Sequence, residues 1–205
     1  MSDPEYNNGD VFIHAGDFTD FGESEELVRF NELLGKLNFT HKIVVAGNHE
    51  LGFDPVEDLS QRSFLDSGRG TINGYSLLTN AVYLHDDFLT IDGVKVLRHA
   101  LPFSERLSLL CAPARRKRAP RILDVFAKEG RWGSNKLLWK VLKFKPEFHV
   151  FGHVHAGYGA IKSNDTTFIN AALTKPIFPP IGLDPERKPF VFYVRRRIVE
   201  KNQLG

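Results

Sequence analysis

The chain has 205 residues, 42% hydrophobic and 25% charged, with 27 Lys and Arg against 25 Asp and Glu and a formal charge of +2. That length suits one domain with a sizeable core, the charge makes no global case for nucleic acid, and the single cysteine, Cys111, excludes an internal disulfide framework and fits a reducing, cytoplasmic setting. No apolar run approaches the roughly 18 residues of a membrane span, and the polar opening MSDPEYNNGD is neither a signal peptide nor a transit sequence.

In chain order, residues 1–10 read as a flexible lead-in to a strand, Val11 to Ala15, that ends in Gly16 and Asp17. Ser24 is placed to cap a helix, with Glu25 and Glu26 at its positive end and Leu27, Phe30, Leu33, Leu34 and Leu37 at helical spacing. A second strand, Lys42 to Ala46, runs into Gly47, Asn48, His49 and Glu50. Strand, helix and strand in that order predict a parallel pair. Asp54-Pro55 opens a short helix to about Leu65, and Gly68 to Gly74 is rich in turn residues. Ala81 to Leu84, Phe88 to Ile91 and Val94 to Leu97 read as short strands, the last two joined by the hairpin signal Asp92-Gly93.

Residues 98–133 break this pattern. They hold ARRKRAPR (residues 114–121) and no periodicity, which reads as a divergent, solvated basic loop. The sharper reading is a nuclear-localisation or nucleic-acid patch, but no interleaved aromatic residues support base stacking. Ser134 caps a helix carrying Leu137, Leu138, Val141 and Leu142. Strands follow at Phe148 to Phe151, Thr166 to Asn170 and Phe190 to Val194, before a basic tail.

The strand Phe148 to Phe151 runs into Gly152, His153, Val154 and His155. Two histidines one residue apart point the same way on a strand, or fan around one point if the chain turns. Three strands thus each deliver a glycine and then metal-type or acid-base side chains, where open α/β sheets place their ligands. The Asp17 carboxylate can bridge two cations. Asn48 offers a carbonyl oxygen to a metal and an amide to a phosphate oxygen, and His153 and His155 offer nitrogen. A mixed nitrogen and oxygen set without thiolate suits Mn, Fe or Zn. His49, beside Asn48, is placed to donate a proton to a leaving group. The chemistry expected is hydrolysis of a phosphate ester, with a hydroxide held by two metals attacking phosphorus in line. His14 reads as a core histidine or one supporting the site, His41 and His149 carry no signal, and Tyr158 serves either the substrate mouth or surface packing.

These motifs resemble those of the calcineurin-like metallophosphoesterases, in particular the metallophosphoesterase-domain subfamily with fetal-brain members. The matching stretches are GDVFIHAGDFTDFG, FNELLGKLNFTHKIVVAGNHE, LLTNAVYLHDD, KPEFHVFGHVHAGYG and TTFINAA. The resemblance implies an α/β fold, a two-sheet sandwich flanked by helices. It implies that Asp17 bridges two divalent metals, that Asn48 and His153 serve one and His155 the other, that His49 donates the proton, and that Asn48 and His49 meet the substrate. It further implies phosphomonoester or phosphodiester substrates, cyclic nucleotides among them. Two family features have no counterpart. The opening strand ending in Asp-x-His is missing, which predicts a single domain shortened at its N-terminus. The Thr-His-Gly-Pro-Pro stretch is also absent, and His99, between a strand and Pro102, is the candidate substitute ligand. The alternatives are a family member that binds one metal or a nucleotide with little turnover, and an interaction protein using the basic loop. The residues leave the oligomeric state open.

Overall fold

A computed structural model describes residues 6, 8–54, 57, 62–98, 125–126, 130–131, 135–175 and 183–194. His99, the basic run at residues 114–121 and the tail lie outside the described residues, as does most of the helix expected from Asp54-Pro55, of which Asp54, Glu57, Arg62 and Ser63 are non-helical before a single 3-10 turn at Phe64–Asp66.

The first sheet is parallel and ordered β1 (Asn8–His14), β2 (Asn38–Val44), β3 (Val82–Tyr83). β1 therefore begins inside the expected lead-in, because Asn8 and Gly9 already pair with Asn38 and Phe39. Among the described residues β1 is an outer strand of this sheet. The crossover is α1 (Ser24–Lys36). Its cap is Glu23, not Ser24: Glu23 and Glu26 form a reciprocal capping box, and Glu26 also accepts from the Asp20 and Phe21 backbone. The Ser24 hydroxyl is instead bonded to Thr71, 3.0 Å away. Leu27 and Leu34 are buried and Phe30 packs beside them, whereas Leu33 is 58% exposed. One residue around a helix is about 100°, so Leu33 cannot share the face of Leu34.

Successive residues of β2 point to opposite faces, and each finds its own core. Val44 joins Leu27, Leu34, Ala46, Phe53 and Leu78 beneath α1. Ile43 joins Leu84 and Ile91, where the hairpin of β4 (Phe88–Ile91) and β5 (Val94–Leu97) covers the other face. That hairpin turns at Asp92 and Gly93, both with positive φ (49° and 80°), as a two-residue type I′ turn requires. Glu57 and Arg62 form a buried pair at 2.7 Å, and Glu57 also accepts from the Gly52 N–H at 3.1 Å, securing the segment after the second motif.

A small hairpin, β6 (Val125–Phe126) with β7 (Gly130–Arg131), precedes α2 (Asn135–Phe144). The second sheet is ordered β8 (Phe148–Phe151), β10 (Thr166–Asn170), β9 (Gly159–Ser163), with β10 parallel to β8 and antiparallel to β9. Val141 of α2 packs on Phe168 of β10, with Leu137, Leu138 and Phe151 around them. The expected strand Phe190 to Val194 is not one. Two of its aromatic residues pack instead of pairing: Phe190 lies 5.1 Å from the Tyr158 ring, and Phe192 stacks on Phe148 at 4.4 Å. No described helix is long and apolar enough to cross a membrane.

Two histidines are built into these cores. His14 stands among Phe12, Phe18 and Phe30, and its Nδ1 is buried with no partner. His149 lies against Phe151 and Phe168. Burial pushes each from 6.5 to about 4. The unfolded chain takes up both protons near pH 6.5, while the folded chain refuses them until about pH 4. Stability should therefore fall as pH drops through that window, by about 1.4 kcal/mol per pH unit for each ring. Urea midpoints across the window should show this slope, and a His14→Phe, His149→Phe double variant should flatten it.

Candidate metal centre

Each of the three motifs leaves its strand through a turn that begins at its glycine. After β1, Gly16 (φ 93°) and Asp17 (φ 56°) reverse the chain. Positive φ is strained for a residue with a Cβ, though aspartate tolerates it better than most. The reversal brings Gly16 against the second motif, where an added Cβ would lie 2.7 Å from the Gly47 nitrogen. Gly47 in turn leaves room for the Asp17 side chain, since a Cβ there would collide with Asp17 Oδ1. After β8, Gly152 sits over the end of β1, with its would-be Cβ 3.7 Å from the Ala15 carbonyl oxygen. His153 (φ 72°) then turns the chain into the 3-10 turn His155–Gly157. The two histidines therefore fan rather than align along a strand.

The turns place Asp17 Oδ2 3.6 Å from His153 Nδ1. The His49 backbone N–H points at Asp17 Oδ1 from 3.4 Å, so Asn48 lies between two residues, Gly47 and His49, that both touch Asp17. His155 stands close enough for its charge to interact with those of Asp17 and His153. Its Nδ1 donates to the Lys175 carbonyl at 3.2 Å, which leaves Nε2 with a free lone pair, the usual arrangement of a ligating histidine. Burial lowers the His155 pKa and favours that neutral form.

Glu50 organises the constellation, and the sequence reading gave it no role beyond closing its motif. It is 4% exposed, and its carboxylate accepts five hydrogen bonds. Oε2 takes the Asp17 N–H (2.9 Å) and the Gly47 N–H (2.7 Å), tying the first motif to the second. Oε1 takes the Phe18 N–H, the Thr19 N–H and the Thr19 hydroxyl. Burial and the nearby Asp17 charge raise the Glu50 pKa despite those donors. At Asp17 burial works against the charge, but the bond to His153 and the charges of His49 and His153 outweigh it, and its pKa is lowered. His49 donates from Nδ1 to the Asp20 carbonyl at 2.8 Å. Burial opposes its charge too, yet that carbonyl and the carboxylates of Asp17, Glu50 and Asp20 raise its pKa overall.

Two further anchors escaped the sequence reading. Asn170, fully buried at the end of β10, donates to the Val154 carbonyl (2.9 Å) and accepts from the Ala172 N–H (3.1 Å). A buried amide after an apolar run is a signal that it must be paired. Arg187 binds the same turn from more than thirty residues away, and nothing in its local sequence announces that. Tyr158 packs rather than opening onto a substrate mouth: its hydroxyl exchanges hydrogen bonds with the Lys188 backbone, and Arg187 lies over its ring.

The donor chemistry fits a divalent cation. Asp17 and His153 could hold one ion, with Asn48 beside them in the second motif, and the Gly47 cradle leaves room for the Asp17 carboxylate. The fit does not extend to two fully ligated ions. Among the described residues no group of three or more His, Cys, Asp or Glu side chains is placed to hold a metal, and only Asp17 and His155 remain for a second. Gly47→Ala tests the cradle. Displacing the carboxylate should weaken Mn binding about 10-fold or more, which titration of the metal-free variant will read.

Residues 3–157 match the family model described as calcineurin-like phosphoesterase. A UPF0046 protein of Caenorhabditis elegans is 39% identical over 93% of this chain and 70% of its own length, and a second from that organism is 37% identical over 83% of the chain and 69% of its own. Metallophosphoesterase domain-containing protein 1 of Homo sapiens is 33% identical over 86% of the chain, which spans 64% of that protein. With three glycine-led turns converging on Asp17 as the geometry behind those matches, the chain belongs to the calcineurin-like phosphoesterase family, a family of metal-dependent hydrolases.

Proposed function

We propose that this chain, as a single phosphoesterase domain in a reducing, cytoplasmic setting, hydrolyses a phosphomonoester or phosphodiester at the Asp17–His153 centre, with a Mn, Fe or Zn ion held by Asp17, Asn48 and His153, and with Asp17 and His155 as ligands for a second. The observation that carries the reading is the 3.6 Å approach of Asp17 to His153 from strands in two different sheets, in a loop frame tied together by Glu50. When bound, the cation supplies a nucleophile at neutral pH and stabilises charge on the phosphoryl oxygens. The chain supplies the rest. Glu50 holds the Asp17 backbone, so the carboxylate needs no reorganisation when substrate arrives. The Asn48 amide is a donor for a phosphoryl oxygen. His49 is held by its Nδ1 bond to Asp20, which leaves Nε2 to carry a proton to the leaving oxygen, and its raised pKa keeps that proton available nearer neutral pH.

A second reading, a family member that holds one ion with little turnover, is favoured by the absence of a three-residue His, Cys, Asp or Glu cluster among the described residues. Hydrolysis of an aryl phosphodiester and of an aryl phosphomonoester in the presence of Mn separates the two, with a cyclic nucleotide as a third substrate. Under the first reading His49→Asn lowers turnover about a hundredfold or more, with Mn binding retained. Equal, slow hydrolysis by wild type and His153→Ala would leave only the second.

A further inference from the structure

We infer that Arg187 is a positioning residue for His155, fixing which ring nitrogen that histidine offers to the centre; the inference rests on the proposed role of His155 as a metal ligand. Arg187 is nearly enclosed, its side chain 11% exposed. Its Nη1, with two N–H donors, lies within hydrogen-bond distance of three carbonyl oxygens, His155 (2.7 Å), Ala172 (2.9 Å) and Thr174 (2.8 Å), so one donor is shared between two of them. Nε reaches Asp184 at 3.3 Å, and the guanidinium lies 5.0 Å from the Tyr158 ring centroid.

The three carbonyls belong to two separate segments. One is the turn that carries His155, and the other is the stretch after β10. The latter continues from Thr174 into Lys175, whose carbonyl receives the His155 Nδ1–H. Arg187 thus grips both the histidine's backbone and the residue preceding its ring partner. Holding the two together fixes the Nδ1–H tautomer and leaves the lone pair on Nε2. A guanidinium suits this task because its planar donors are pre-organised, whereas an ammonium on a flexible stem is not. Loss of the clamp frees the Lys175 carbonyl to drift, and the ring then loses its reason to prefer one tautomer.

The test reads the ring directly. In metal-free wild type, nitrogen NMR of the histidine rings at neutral pH should show His155 as the Nδ1–H tautomer. In Arg187→Ala, and in Arg187→Lys should the alanine variant not fold, His155 should become a mixture of tautomers. Affinity for cobalt(II) should then fall about 10- to 100-fold, the range typical for partners that orient a ligand. A folded variant with the wild-type tautomer and wild-type cobalt affinity overturns the inference. The proposed hydrolysis fails separately: a wild type with the expected tautomer and cobalt affinity but no phosphoesterase activity would sink that function and leave the role of Arg187 intact.

Discussion

Replacing Glu50 with alanine is expected to destabilise the chain by about 3–5 kcal/mol, because five donors that face one buried carboxylate would lose their acceptor together. For a chain of this length that corresponds to a melting temperature lower by roughly 10 °C. Glutamine should be nearly as damaging despite its equal size. Whichever way the amide is turned, its NH2 group faces either the Asp17 and Gly47 N–H groups or the Phe18 and Thr19 N–H groups. One side of the clamp must open, and the Oε2 side is the one that joins Asp17 to Gly47. Thermal melts of Glu50→Ala and Glu50→Gln check this. A Glu50→Gln variant that melts with wild type would show that the carboxylate does not bind the two loops.

Replacing Asp17 with asparagine should have the opposite profile, abolishing activity without loss of stability. Turnover of an aryl phosphoester should fall roughly a thousandfold, about 4 kcal/mol of transition-state stabilisation, because the carboxylate that lies 3.6 Å from His153 supplies the anionic oxygen of the proposed centre. The metal-free fold should hold, the lost attraction to His153 and His49 being offset by relief at Glu50. Asparagine keeps an acceptor for the His49 N–H, and it removes the negative charge that stands against Glu50. Equal loss of stability in the Asp17 and Glu50 variants would mean that Asp17 is structural. Parallel melts and rates on one preparation decide between them.

Much of the architecture was open to reading because short strands ran between clear boundaries. Phe148–Phe151 and Thr166–Asn170 occupy the expected residues, and Asp92-Gly93 makes the expected hairpin. β9 escaped because Ala160, Ile161 and Lys162 are all exposed and show no alternation. Its cue was the two-residue Asn164-Asp165 connection to β10, with Asn164 at φ 53°. Phe190 to Val194 looked like a strand because aromatic and β-branched residues suit either a ladder or a packed extended segment, and composition does not distinguish them. Serine is the commoner cap residue, so the glutamate cap at Glu23 carries little signal in the sequence.

At the site, ligand-type residues stood out because they end strands after glycine. The residues that hold them did not. Glu50 acts on backbone N–H groups more than thirty positions away, and Arg187 acts on backbone carbonyls, so no side-chain pattern betrays either one.

The central claim is that Asp17 and His153 share one cation. Calorimetric titration of the metal-free chain with Mn tests it most directly. The account predicts that wild type takes up an ion and that Asp17→Asn and His153→Ala each weaken that uptake about 10-fold or more while the fold survives. Uptake of equal affinity in both variants, or none in wild type, would contradict it.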